Sequence, residues 1–226
     1  RVSMSAVCFS PDGTLFAFAN DNLISILHLK TKQIIKTIKT SKEIVTSLTF
    51  CSDYIIAGTH RGRVLQYRHD NAALLARVCS FPYIYTKVKE NYVSSFAVEE
   101  NLLACSGKGG AIFVIDIFTQ ASRTVLLEKG ERIDALAFLD NNKLVSANVS
   151  GKVIVFDIES QVQLCSIDAP FSKITQVVKM PNSNFIALVA KESSYIAIAD
   201  ITKAKIVHSK YIEFQSNINK ILLANE

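Results

Sequence analysis

The four short runs Met4 to Phe9 (MSAVCF), Leu15 to Ala19 (LFAFA), Leu23 to Leu29 (LISILHL) and Ile34 to Ile38 (IIKTI) decide how the chain is read. Each is rich in β-branched and aromatic residues and bounded by turn formers such as Asn, Asp, Ser and Gly, the pattern of strands joined by tight turns. The same four-part sequence recurs to the end of the chain. No window carries a 3.6-residue apolar stripe of helical length.

The second tight turn of each unit measures the period. Asp21-Asn22, Arg61-Gly62, Gly109-Gly110, Ser150-Gly151 and Ser193-Ser194 follow one another at 40, 48, 41 and 43 residues. A four-stranded propeller blade takes about 40–45 residues. The first strand of each unit supplies an independent check. Counting back from Phe9, Phe50, Val98, Phe138 and Lys179, the residues two earlier are Val7, Leu48, Phe96, Leu136 and Val177, and those five earlier are Met4, Val45, Val93, Ile133 and Ile174. Both earlier columns are apolar throughout, and the residue after the second is always small or polar: Ser5, Thr46, Ser94, Asp134, Thr175. Carried forward, the columns find Ile218, Asn219, Ile221 and Leu223, the opening strand of a sixth unit.

The expectation is an all-β β-propeller of four-stranded antiparallel blades, five complete with the first strand of a sixth. It forms one domain over 1–226, with blades near 1–40, 41–80, 91–129, 130–169 and 172–212. Propellers protect their sheet edges by closing the ring, so the chain is expected to be a portion of a longer six- or seven-bladed propeller. A ring completed by a partner's strand and a closed five-bladed ring stand as alternatives.

Composition removes several classes. The 226 residues are 49% hydrophobic, yet runs such as Ala111 to Ile115 and Phe185 to Ala190 fall far short of the ~20 residues of a spanning helix, so membrane insertion is not expected. The net charge of +5 is too mild for a nucleic-acid-binding tail. Its distribution says more: residues 1–113 hold 13 Lys and Arg against 8 Asp and Glu, and residues 114–226 hold 12 against 12, so any basic surface belongs to the first half. Five scattered cysteines with no CxxC pair suggest neither a zinc site nor a disulfide framework. Buried thiols in a reducing, cytoplasmic setting are expected. The first residues lack the charged-then-apolar pattern of a signal peptide, although a chain starting at Arg1 is also compatible with one already removed.

The first unit reads Val7-Cys8-Phe9-Ser10-Pro11-Asp12-Gly13, and later third strands close as Val114-Ile115-Asp116-Ile117, Val155-Phe156-Asp157-Ile158 and Ile198-Ala199-Asp200-Ile201. On these motifs the chain resembles the WD-repeat β-propellers over essentially all its length. It departs in detail: Leu27, Tyr67, Ile115, Phe156 and Ala199 stand where the family has its Trp, and the Gly-His pair that usually precedes a blade is absent. In the family a His, a Ser or Thr, a turn Asp and the Trp form a buried hydrogen-bonded chain. Without the His and Trp, cohesion is expected mainly from apolar packing between blades.

Catalytic chemistry finds little support. Ser106-Gly107-Lys108-Gly109-Gly110 lacks the GxxxxGK[ST] spacing and leads into a strand, so it reads as a hairpin turn and not a phosphate loop. His28, His60, His69 and His208 show no metal-ligand spacing. There is no GxSxG elbow, and the 20 carboxylates show no recurring close pair. No catalytic, cofactor-binding or metal-binding residue is assigned, and no cofactor is expected. Asn148-Val149-Ser150 matches a glycosylation acceptor only by chance.

One unit is longer than the rest, the excess lying at Cys79 to Glu90. Loops that exceed their repeat's norm often lie on a binding face. Phe81, Tyr83 and Tyr85 are of the type enriched at contact centres, and Lys87 and Lys89 suit a rim. A loop from one blade's outer strand to the next blade's inner strand shares a face with the second-to-third-strand turns, so His60, Arg61, Arg63 and Lys108 would project nearby. The function expected is a non-enzymatic scaffold holding a protein or peptide partner, an acidic one by charge, with no nucleic acid. Two alternatives remain open: a component of a larger assembly whose partner chain or missing residues complete the ring, and an accessory or small-molecule-binding propeller that uses the central channel. A small-molecule ligand is the least favoured.

Overall fold

The structure, a computed structural model, describes residues 5–70, 73–80, 92–127, 131–190 and 195–211. Among them are twenty strands in five four-stranded antiparallel sheets, each in chain order from inner to outer strand. The first sheet holds β1 (Ala6–Phe9), β2 (Leu15–Asn20), β3 (Leu23–His28) and β4 (Gln33–Lys39). The second holds β5 (Val45–Cys51), β6 (Tyr54–Thr59), β7 (Arg63–Arg68) and β8 (Leu74–Ser80), and the third β9 (Val93–Glu99), β10 (Leu102–Gly107), β11 (Ala111–Asp116) and β12 (Ser122–Leu127). The fourth comprises β13 (Ile133–Asp140), β14 (Lys143–Asn148), β15 (Lys152–Asp157) and β16 (Gln163–Asp168). The fifth comprises β17 (Ile174–Lys179), β18 (Phe185–Ala190), β19 (Tyr195–Asp200) and β20 (Lys205–Tyr211).

Strand alternation gives every sheet two faces, and in the second, third and fourth sheets the middle strands bury both. In the first sheet Leu15, Ala17, Ala19, Ile24 and Ile26 point one way, while Phe16, Phe18, Ser25 and Leu27 point the other. The first set packs on Leu48, Phe50, Ile55, Ala57, Leu65 and Tyr67 of the second sheet. The same seam recurs between the second and third sheets through Ile56, Val64, Leu103, Cys105 and Phe113. Ala104, Ile112 and Val114 meet Leu136, Phe138, Leu144, Ile154 and Phe156 between the third and fourth. Val145, Ala147, Val153 and Val155 meet Ile186, Leu188, Ala197 and Ala199 between the fourth and fifth. Burial of apolar area at about 25 cal/mol per Å² makes these seams the main favourable contribution.

The column of small polar residues stitches the seams at their inner edge. Thr46 Oγ1 donates to the Val93 carbonyl at 2.8 Å, and Ser94 Oγ donates to the Ile133 carbonyl, each reaching the next sheet's first strand. The turns from third to fourth strand follow their own rule. Asp116, Asp157 and Asp200 each accept backbone N–H groups two or three residues on, and Gln120, Gln161 and Ala204, four residues later, take positive φ. Such Asx turns replace backbone partners that the strands can no longer supply. Hydrogen bonds from Ser160 hold the Asp157 carboxyl below the usual carboxylate range, and the Thr202 hydroxyl does the same for Asp200.

The five inner strands β1, β5, β9, β13 and β17 surround one cavity of about 570 Å³. Adjacent inner strands pack closely in the order β1, β5, β9, β13, β17, and β17 and β1 do not share that close packing. Cys8, Cys51 and Cys105 are buried and Cys165 is half-buried. Burial pushes the Cys51 thiol up to about 11. Among the described residues no helix is long and apolar enough to cross a membrane.

Gly58, on β6, marks a close approach of the second and third sheets. A Cβ there would fall 2.6 Å from Val93 Cβ on β9 and nearer still to Ser47 Oγ. Gly58→Ala should therefore cost about 1–3 kcal/mol through overpacking, a drop of several degrees in Tm. A denaturation midpoint equal to that of the parent chain would contradict the closeness of this seam.

Candidate interaction face

Antiparallel alternation puts the second-to-third-strand turns and the sheet-to-sheet linkers at one end of the array, and hydrogen bonds zip them together. Thr40 N donates to Asn22 O at 2.9 Å and Val45 N to Asp21 O at 2.8 Å. His60 and Ile44 exchange bonds: His60 N donates to Ile44 O at 2.9 Å, and Ile44 N donates to His60 Nδ1 at 3.0 Å. Because Nδ1 accepts, the neutral ring carries its proton on Nε2. Farther round, Lys173 N reaches Val149 O and Ala169 N reaches Gly151 O, each at 2.9 Å. These bonds fix the backbone on which exposed side chains stand.

The four described residues of the anticipated site have different fates. Arg61 is exposed, and His60 and Lys108 are half-buried, on turns of adjacent sheets at this end. Arg63 is engaged: its Nη1 pairs with Oε1 of Glu43, whose side chain is only 9% exposed. Among the described residues the other Glu43 oxygen, also buried, has no hydrogen-bond partner. Arg63 thus neutralises a buried carboxylate, and the cations left for a partner are Arg61 and Lys108, with exposed Lys42 on the linker. Phe81, Tyr83, Tyr85, Lys87 and Lys89 lie outside the described residues.

A second polar cluster stands at the same end, at the channel mouth. Arg132 donates through Nη1 to Tyr92 Oη at 3.1 Å and through Nη2 to Asp134 Oδ2, and the hydrogen bond to Asp134 raises the guanidinium pKa. Sequence reasoning passed over this cluster. The signal was present, since Asp134 is the one carboxylate in a column of hydroxyls and cannot donate to a neighbouring carbonyl as Thr46 and Ser94 do.

Below the mouth the cavity is lined mainly by hydroxyls and apolar groups, including Ser47, Thr49, Ser95 and Thr175, with Asp134 as its carboxylate. Among the described residues no group of three or more His, Cys, Asp or Glu side chains could hold a metal ion. Asn148, of the glycosylation-like triplet, is buried, with Oδ1 accepting from Ser150 N, Ser150 Oγ and Lys152 N.

No family model matches the chain, and no curated protein matches it in sequence. Solved structures do match in fold. A computationally designed protein, Ika8, is 20% identical with a TM-score of 0.78, over 99% of this chain and 66% of that one. A chain in the structure of the mitotic checkpoint complex is 14% identical, TM-score 0.76, over 93% and 69%. U3-55K is 17% identical, TM-score 0.79, over 93% and 65%. WD40-type propellers are among these neighbours, and the chain spans about two thirds of their length.

The division of labour among the cations is testable. Arg63→Ala leaves Glu43 buried and uncompensated and should destabilise the fold by roughly 1–3 kcal/mol, discounted because Arg63 is one-third exposed. Arg61→Ala and Lys108→Ala should stay within about 0.5 kcal/mol in the same urea titration. Equal effects at the three positions would remove the distinction.

Proposed function

We propose that the chain is a WD-repeat-type propeller that serves as a non-enzymatic scaffold for a protein or peptide partner of acidic character. The observation that carries the reading is a rigid array whose zipped turn-and-linker end presents Arg61, Lys108 and Lys42, while the channel offers hydroxyls and an already paired carboxylate. Recognition placed on loops of a stiff support needs little ordering on binding. The extra segment at Cys79 to Glu90 leads from the second sheet, whose turn carries Arg61, toward the third, whose turn carries Lys108. Phe81, Tyr83 and Tyr85 would supply the apolar anchor of such a site, and the cations the rim that sets partner charge. Neighbours of like fold include a component of a named protein complex, in keeping with this role. Fold likeness alone would not separate it from other uses of a propeller.

The test is capture from a native extract with the immobilised chain, quantified by mass spectrometry against an Arg61→Glu/Lys108→Glu variant. The reading expects one or more acidic proteins retained by the parent and reduced about tenfold or more by the variant, the effect of losing ~1.4 kcal/mol, with Tm unchanged. Equal retention by parent and variant would overturn it.

A further inference from the structure

At the end of each seam opposite the turns and linkers, one row of paired residues closes the sheet, and in the fifth sheet that row changes character. The pairings align Phe50 with Ile55 and Tyr67 in the second sheet, Val98 with Leu103 and Ile115 in the third, and Phe138 with Leu144 and Phe156 in the fourth. All are large and apolar, and all but the half-buried Val98 are buried. Rings also meet at this end of the first two seams, Phe50 with His69 at 6.2 Å between centroids and Tyr54 with Phe118 at 6.1 Å. The corresponding row of the fifth sheet is Lys179, Ile186 and Ala199. A lysine stands where the other sheets carry Phe or Val, and an alanine where they carry Tyr, Ile or Phe, so the seam with the fourth sheet lacks two large apolar side chains.

The space left is a groove. A cavity of about 580 Å³ opens at this end of the fourth seam, within the ~300–1,000 Å³ of ligand pockets. Its apolar wall comes from the fourth sheet, where Leu139 and Val155 are buried, Cys165 is half-buried and Leu164 is 50% exposed. The facing wall comes from the fifth sheet: Lys179, the turn Asn182-Ser183-Asn184, and Ile201 with Thr202. Lys179 is exposed, its ammonium donates to the Leu139 carbonyl, and it forms no ion pair among the described residues. Asp140 on the rim is already engaged, by Lys143 Nζ at 3.6 Å and by the N–H groups of Asn142 and Lys143. The charge left over is therefore the positive one of Lys179. The side-chain amides of Asn182 and Asn184 are exposed and make no hydrogen bond among the described residues. An amide offers both donor and acceptor, as a peptide main chain requires.

We propose that this groove docks an extended peptide segment of a partner protein in which a large apolar side chain stands next to Asp or Glu. The apolar side chain would lie among Val155, Cys165 and Ile201, in the place that rings take in the other seams. The carboxylate would pair with Lys179, and the main chain would run past Asn182 and Asn184. An apolar anchor inside a polar rim is the usual anatomy of an interface, and the rim charge fixes register. The two amides, on alternate residues of one turn, favour a polypeptide over a small carboxylic acid, which would engage Lys179 alone. The inference does not rest on the turn-and-linker reading, because the groove lies at the end opposite Arg61 and Lys108 and different substitutions remove the two surfaces.

The experiment selects a phage-displayed library of random peptides on the immobilised 226-residue chain. Enriched sequences are then titrated, as fluorescein-labelled synthetic peptides, against the parent, Lys179→Glu, Lys179→Phe and the double variant Arg61→Glu/Lys108→Glu. The proposal expects the enriched peptides to share a large apolar residue flanked by Asp or Glu, and their affinity to fall about tenfold or more in both Lys179 variants. The double variant should bind them as the parent does, and Lys179→Phe should melt at or above the parent's temperature, because its ring refills the groove. Enriched peptides without that pattern, affinity indifferent to Lys179, loss in the Arg61→Glu/Lys108→Glu variant alone, or a lowered Tm for Lys179→Phe would each overturn it. So would a parent that sediments as a dimer and is dissociated by Lys179→Glu, since a second copy would then occupy the groove.

Discussion

The rest of the structure depends on one kind of contact, the packing of a sheet's buried apolar side chains onto the apolar face of the sheet before it. Leu48, Phe50, Ile55 and Tyr67 against Ala17, Ala19, Ile24 and Ile26 show it most plainly. Every seam buries both partners, so no sheet can lose its neighbour without exposing a row of apolar side chains. Stability in such arrays is approximately a sum of repeat terms and nearest-neighbour interface terms. The hydroxyls of Thr46 and Ser94 lock the inner edge of two seams by donating to a carbonyl on the next sheet's first strand. Such a bond contributes about 1 kcal/mol, so it sets register more than it holds the array together.

Most of the architecture was legible in the sequence, because a strand's period of two and a blade's period of about 40 residues are both written in residue order. In the column Val7, Leu48, Phe96, Leu136, Val177 the last four join the seams, and Ser5, Thr46, Ser94, Asp134, Thr175 contains the stitching donors. What such columns leave unwritten is a residue's neighbour. Phe9 and Phe50 are equivalent in sequence, yet Phe50 is buried and Phe9 is 49% exposed, because burial is decided by the sheet that lies against them. Charge pairing has the same character. Arg63 sits 20 residues from Glu43, and only the folding of linker onto turn makes it a partner of a buried carboxylate instead of a surface cation. Asp134 with Arg132 and Tyr92 likewise depends on where the channel mouth falls.

For function, the consequence is a separation of roles along each sheet. The interior positions are committed to seams and tolerate little change, as the space around Gly58 illustrates. The turns and linkers are tied down by backbone bonds, which leaves Arg61, Lys108 and Lys42 free to vary without disturbing the core. The channel is lined mainly by hydroxyls and apolar groups, and its carboxylate, Asp134, is paired with Arg132 at the mouth.

The central claim, that stability resides in the seams between successive sheets, is tested most directly by native-state hydrogen exchange on the 226-residue chain. Local opening energies run from near zero to the global value, and they track how many buried contacts a segment keeps. The account predicts that amides of β6, β10 and β14, whose sheets have a seam on both sides, exchange more slowly than those of β2 and β18, whose sheets have one. Equal protection in all five sheets, or slowest exchange in the first or last, would contradict it.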